Sequence, residues 1–417
     1  MALMRRLRVG LAVAAAVVLV AAVVVAAWAS RADLFDRGGA ATAHPDTEPI
    51  PTAHIGGSEP GDLVSAATMP GLSHSKVGSE FNAARVVYHS TNGDTGEPTV
   101  VSGSVYTPKG AAPQGGWPVV AFGHGTTGID EPCAPSLSDS LLGMSSMVVG
   151  LVRKGYAVAF ADYQGLGAPG VHPYLDAKTA GLNVIDSVRA LHHTFDDISP
   201  KWAALGGSQG GGAVWAAGEQ AGGYAPELDL VGVVAMVPAA DVTGLVDKAQ
   251  AETLTYYQRP AFQSVVETLA RLHPDLNRDD YRRGAAAEYW EVLSSCSGAK
   301  GLDRKEAAEA LAPGDLAPKT PQAAERLRGL LRGWALPQQP LTAPLSVSYG
   351  GQDEYIDAQW TTDAIARACA LGGPVVWDLQ PQAGHGNVDI SSRYAWLADR
   401  FAGKPVADEC TSAAPGN

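Results

Sequence analysis

The sequence predicts an α/β protein built on a doubly wound, mostly parallel sheet with a helical insertion. Short, near-continuously apolar runs such as "WPVVAFGHG" (117–125) and "YAVAFADY" (156–163) alternate with stretches of helical period. Strands that apolar are buried on both faces, as parallel strands between helix layers are. The alternation breaks between Val242 and Leu336, where helical stretches occur without a strand, and resumes at "APLSVSYG" (343–350) and "PVVWDLQ" (374–380). At the junction of one apolar run and the next helix, "KWAALGGSQGGG" (201–212) sets a serine among glycines.

The elements follow in order. "ARVVYHST" (84–91) and "TVVSGSVYTP" (99–108) read as paired strands joined by the turn "NGDTGEP". After "WPVVAFGHG" a helix is expected from about Ser136 to Lys154, with Gly155 as its C-cap. "LDAKTAGLNVIDSVRALHHTF" (175–195) has helical spacing, "QGGGAVWAAGEQA" (209–221) is a helix, and "LDLVGVVAMVP" (228–238) is the next strand. The late insertion includes "YYQRPAFQSVVETLARL" and "AAAEYWEVL". It is too long for a loop, and a helical cap over the C-terminal edge of the sheet is expected, where such sheets bind ligands.

Outside this frame lies the N-terminus. Arg5, Arg6 and Arg8 precede an uncharged apolar run from Val9 to Ala29. That order reads as an export signal, and the run is also long enough to span a bilayer. Ala27-Trp28-Ala29 fits a small-x-small cleavage site, so residues 1–29 are expected to be a cleaved signal peptide or a retained membrane tether. Residues 30–75 read as a tether and irregular lead-in, 76–241 and 337–417 as the core, and 242–336 as the cap or lid. The 417 residues are 46% hydrophobic and 18% charged, a globular composition with a core to bury, and the formal net charge of −13 excludes a nucleic-acid surface. Four cysteines (Cys133, Cys296, Cys369, Cys410) in an exported chain suggest two disulfides, and the lack of a C-x-x-C pair gives no support to a zinc site.

Gly206-Gly207-Ser208-Gln209-Gly210 matches G-x-S-x-G in the context that gives the motif meaning, after a buried strand and before a helix. A tight turn there lifts the hydroxyl above the sheet, and Gly206 and Gly210 leave room for the neighbouring strand and helix. A serine needs a base. In the chain order Ser, Asp, His used by α/β-hydrolase sheets, Asp353 in "GGQDEYID" and His385 in "QAGHGN" stand at strand ends. Glu354 and Asp357 are rivals of Asp353. The roles follow from the chemistry: His385 takes the serine proton and later returns it, and Asp353 orients the ring. The backbone N–H of Gln209 is expected to donate to the oxyanion, with a second donor from "FGHGTTG" (122–128), either Thr126 or Gly125. His124 reads as structural, Asp162 and Tyr163 as structural or lining the pocket, and "HPYL" (172–175) as a surface loop or pocket wall. Tyr256, Tyr257, Phe262, Tyr289 and Trp290 are candidates for an apolar acyl-binding wall or for the core of the cap.

"HGTTGIDEPCAPSL" (124–137), "DYQGLGAPGVHPYL" (162–175), "GGSQGGG", "GGQDEYID" and "AGHGN" together resemble the secretory lipase family, which includes fungal lipases of the A type and actinobacterial relatives. The resemblance covers roughly Ser75 to the C-terminus. It implies an α/β-hydrolase fold with a late helical lid, no metal or cofactor, and hydrolysis of acyl esters or acylglycerols by Ser208, Asp353 and His385. It also implies the disulfides Cys133–Cys296 and Cys369–Cys410. Fungal members often carry an acidic residue near the oxyanion loop; "HGTTG" takes that place here, so the family's oxyanion geometry does not transfer. The same triad serves acyltransferases and serine peptidases, and a non-catalytic surface binding protein is the reading outside enzymes. Oligomeric state is not legible.

Overall fold

The computed structural model describes residues 47–411, apart from 74, 76–77 and 297–300. The expected signal or tether at 1–29 lies outside the described residues. Among those described, no helix is long and apolar enough to cross a membrane.

A nine-stranded sheet organises the chain. Its strands are β1 (Leu63–Thr68), β2 (Phe81–Thr91), β3 (Pro98–Pro108), β4 (Trp117–Gly123), β5 (Ala157–Ala161), β6 (Ile198–Gly207), β7 (Asp229–Met236), β8 (Leu345–Gly350) and β9 (Val375–Gln380). The spatial order is β1-β2-β3-β5-β4-β6-β7-β8-β9. From β5 to β9 every pairing is parallel, while β1, β2 and β3 form an antiparallel edge. This is the α/β-hydrolase sheet. Its apolar strands are explained by side chains leaving on both faces. Val119 and Ala121 of β4, with Trp202 and Ala204 of β6, pack under the helices Ala177–Thr194 and Gln209–Tyr224. Their neighbours Val120, Phe122, Ala203 and Leu205 pack on the other face against Val148 and Val152 of helix Ser145–Arg153 and Leu397 of helix Ser391–Phe401. Asp176 starts the longest of these helices, its carboxylate accepting from the N–H groups of Lys178 and Thr179.

Two expectations change. The lead-in 30–75 was expected to be irregular, yet it contains β1, paired antiparallel with β2. Its six residues do not alternate cleanly between buried and exposed, which removes the usual strand signal. The helix expected over 136–154 is α-helical only from Ser145 to Arg153. Before it the chain makes three short 3₁₀ turns, with Leu141 and Leu142 at φ of 53° and 50°. Serine is the physical reason: Ser138 Oγ accepts from the Leu142 N–H and so competes with helical pairing.

Between β7 and β8 the chain forms helices Gly244–Gln250, Gln258–Leu272, Gly284–Glu288, Trp290–Leu293, Gly301–Ala310 and Pro321–Trp334. They share an apolar cluster that includes Phe262, Leu269, Trp290, Leu327 and Trp334, and this cluster also takes in Ile129, Tyr174 and Ile356 from loops after β4, β5 and β8. Cys133 is bonded to Cys296, which ties the loop after β4 to this segment, and Cys369 is bonded to Cys410.

The segment's two ends are pinned to each other. The Leu336 N–H donates to the Ala240 carbonyl at 2.7 Å, and Arg367 bridges Asp241 and the Leu336 carbonyl. The buried carboxylate of Glu219 accepts from the N–H groups of Gln338 and Gln339 at 2.9 and 3.1 Å. Burial raises the Glu219 pKa to about 7, outweighing the two amides that lower it. A carboxyl raised in the fold binds more protons folded than unfolded, so its stability contribution is fullest below its unfolded pKa and falls as pH rises toward 7. The loss is bounded at about 3 kcal/mol. Glu219→Gln should therefore gain stability relative to wild type between pH 5 and pH 8 in urea titrations. An equal difference at both pH values would show that this carboxyl does not titrate there.

Candidate active site

The site begins with the turn between β6 and helix Gln209–Tyr224. Ser208 takes φ 58° and ψ −121°, a conformation that side chains other than glycine rarely adopt and that costs on the order of 1–3 kcal/mol. The surroundings leave no alternative. A Cβ on Gly206 would lie 2.3 Å from the Gly210 carbonyl oxygen, and one on Gly210 would lie 2.1 Å from the Gly123 carbonyl oxygen. Strand, turn and helix are thus in backbone contact. The Ser208 N–H donates to the Met236 carbonyl, and the Ala239 N–H to the Ser208 carbonyl, which locks the turn to the exit of β7.

His385, in the loop after β9, reaches this serine. Ser208 Oγ donates to His385 Nε2 at 2.9 Å, and His385 Nδ1–H donates to Asp353 Oδ2 at 2.7 Å. Asp353 follows β8, and its other oxygen accepts from the N–H groups of Tyr355 and Ile356 at 2.8 and 2.9 Å. The carboxylate is therefore oriented by its own loop, and its side chain is 2% exposed. The rivals are placed elsewhere. Asp357 pairs with Lys248 Nζ at 2.9 Å and accepts from Gln258, while Glu354 is exposed.

The loop after β4 passes beside the serine: a Cβ on Gly125 would stand 3.7 Å from Ser208 Cβ. Thr126 is held there by a hydrogen bond at 2.9 Å between its hydroxyl and that of Tyr174. Gln209 is the first residue of its helix, where backbone N–H groups lack intrahelical acceptors. His124 is buried, donates from Nδ1 to the Gly125 carbonyl at 2.7 Å and stacks on Tyr163. Burial lowers its pKa, against the carbonyls of Gly125 and Asp162 that face its two ring nitrogens. Asp162 accepts from the Ser136 N–H and the Ser102 hydroxyl. Both brace the loops.

"HPYL" is not a surface loop. His172 and Tyr174 are buried, because the glycine-rich turn before them folds inward. His172 Nδ1–H donates to the Gln164 carbonyl, and its Nε2 accepts from the Gln209 side-chain amide at 2.9 Å. Burial lowers its pKa to about 3, so the accepting nitrogen stays unprotonated. His172 thus steadies the residue after the serine, a role that sequence spacing alone does not signal. The five cap aromatics divide. Phe262 and Trp290 are core, Trp290 donating to Glu267, Tyr289 packs half-buried against the same cluster, and Tyr256 and Tyr257 remain exposed. Tyr355 was not singled out in the sequence, yet its ring lies 4.6 Å from that of His385. Among the described residues, no group of three or more His, Cys, Asp or Glu side chains is arranged to hold a metal ion.

Comparison with known proteins agrees with this architecture. The model of the secretory lipase family matches residues 136–300, which bears out the resemblance read from the sequence. A "Probable inactive lipase" of Mycobacterium tuberculosis is 27% identical over 352 residues, covering 78% of this chain and 75% of that protein. A "Probable trichothecene esterase" of Stachybotrys chartarum is 27% identical over 202 residues, covering 45% and 41%. Candida antarctica lipase A in its closed state superposes with a TM-score of 0.69 at 18% identity, covering 88% of this chain and 89% of that one. At that identity the likeness shows the fold. The chain is a relative of lipases and esterases.

Packing at the elbow is the most exacting requirement of the site. Gly210→Ala should lower stability by on the order of 1–3 kcal/mol, as overpacking does, and reduce any Ser208-dependent turnover with it. Thermal unfolding of the variant beside wild type measures this; an unchanged midpoint would mean that the backbone contact relaxes freely.

Proposed function

We propose that this chain is an exported serine hydrolase of carboxylic esters, an esterase or lipase that works through an acyl-Ser208 intermediate. The observation that carries the reading is the continuous hydrogen-bonded line from Ser208 Oγ through His385 to Asp353. His385 removes the proton as Ser208 attacks the ester carbonyl and gives it to the departing alcohol. Water then enters and attacks the acyl carbonyl, losing a proton to the same nitrogen, and His385 returns that proton to Ser208 Oγ as the acid leaves. Asp353 holds the tautomer and steadies the imidazolium. The backbone N–H groups of Gln209 and Thr126, with Gly125 as the alternative to Thr126, receive the oxyanion; each such donor is worth about 3–4 kcal/mol.

The helical segment at 242–336 serves as the cap, since it packs on the loops after β4, β5 and β8 that surround the serine. Export is supported by the arginine-led apolar N-terminus and by two disulfides, which persist in oxidising compartments. One relative bears a name that marks it as inactive. In this chain the nucleophile, base and orienting acid are present and within bonding distance, and that favours activity here.

p-Nitrophenyl esters from acetyl to palmitoyl, offered to the full-length chain, test the reading. Ser208→Ala should abolish turnover with the fold intact, and substantial residual activity would sink the assignment. Asp353→Asn should lower kcat by about 10⁴-fold, as the wrong tautomer does in such triads. A mild effect would move the role to another acid.

A further inference from the structure

A line of aromatic rings runs outward from the catalytic histidine. Tyr355 lies 4.6 Å from His385, Tyr257 stacks on Tyr355 at 4.6 Å and 25°, and Tyr256 meets Tyr257 edge-on at 5.0 Å. These are three of the seven exposed large hydrophobic side chains among the described residues, at 38%, 37% and 37% exposure. The other four, Ile55, Val64, Leu371 and Leu379, belong neither to the loop after β8 nor to the inserted segment. The ledge is also fastened. Thr255 Oγ1 donates to the Glu354 carbonyl at 2.6 Å, and the Gln258 side-chain amide donates to the Tyr355 carbonyl at 3.1 Å. The rings therefore stay in register with His385 rather than drifting with the segment.

The chemistry of the triad says what such a ledge meets. His385 Nε2 must hand its proton to the departing oxygen, so the alcohol half of the ester leaves on the histidine side of the serine. The first surface beyond that ring is Tyr355, then Tyr257 and Tyr256. Their exposed rings suit another ring, through edge-to-face contact, better than an alkyl chain, which gains from area alone. We propose that Tyr355, Tyr257 and Tyr256 form the subsite for the alcohol half of the substrate, and that this alcohol carries a ring. The inference rests on the ester-hydrolase reading and replaces the acyl-wall role expected for Tyr256 and Tyr257.

The test compares benzyl butyrate with n-hexyl butyrate, whose alcohols are close in acidity and whose acyl-enzyme is the same. Wild-type full-length chain should favour the benzyl ester in kcat/KM by about tenfold. Tyr257→Ala should bring the ratio near one, and Tyr257→Phe should keep most of it. Deacylation of the shared butyryl-enzyme and the acyl-chain-length profile should not move. Equal loss on both esters, or a shifted chain-length profile with the ratio intact, overturns the subsite. A folded wild type with no Ser208-dependent turnover on any ester overturns the hydrolase reading and the subsite with it.

Discussion

Everything at the site depends on one close approach. The carbonyl of Gly123, at the end of β4, sits where a side chain on Gly210 would begin, and the carbonyl of Gly210 sits where one on Gly206 would begin. Two adjacent strands and a helix start are thereby drawn together until only backbone separates them. Ser208 has no room to relax into ordinary strand or helix geometry and is held at positive φ. Its hydroxyl is consequently presented above the strand ends, and the first turn of the helix faces the same point. The loops after β4, β8 and β9 then need only modest reach to meet it.

Around that point the protein spends its buried polar groups on rigidity. His124, Asp162 and His172 are all buried, and each bonds a loop beside the serine. None of them forms part of the line from Ser208 to Asp353. Their hydrogen bonds avoid the cost of unpaired polar groups in the interior. This arrangement matters for function because likeness to lipases alone is a weak guide when one relative is named as inactive. Chemistry here depends on how the Ser208 oxygen, the His385 nitrogens and the Asp353 carboxylate are aligned in this chain.

Much of this was legible in the sequence where local rules and tertiary demands agree. The apolar runs of β4 to β9 announced a two-sided sheet because their side chains do leave on both faces. Ser208, Asp353 and His385 stood out because each follows a strand, and strand ends converge. What escaped notice depended on contacts between distant segments. β1 does not alternate cleanly between buried and exposed, and Ser138 competes for the backbone of a helix that periodicity favoured. The tie between His172 and Gln209 and the contact of Tyr355 with His385 join residues whose proximity no spacing encodes. The cap aromatics illustrate the same limit: composition groups Phe262 with Tyr257, whereas packing sends one to the core and the other to the surface.

The bond between Cys133 and Cys296 joins positions 163 residues apart, and the stretch it encloses contains β5, β6, Ser208, β7 and most of the inserted helices. The candidate nucleophile thus sits inside a closed covalent ring. If a protease in the surrounding medium cuts once between residues 134 and 295, the two new ends separate but the two pieces do not. The severed protein keeps its mass, and the cut shows on a gel only after the thiols are released by reductant.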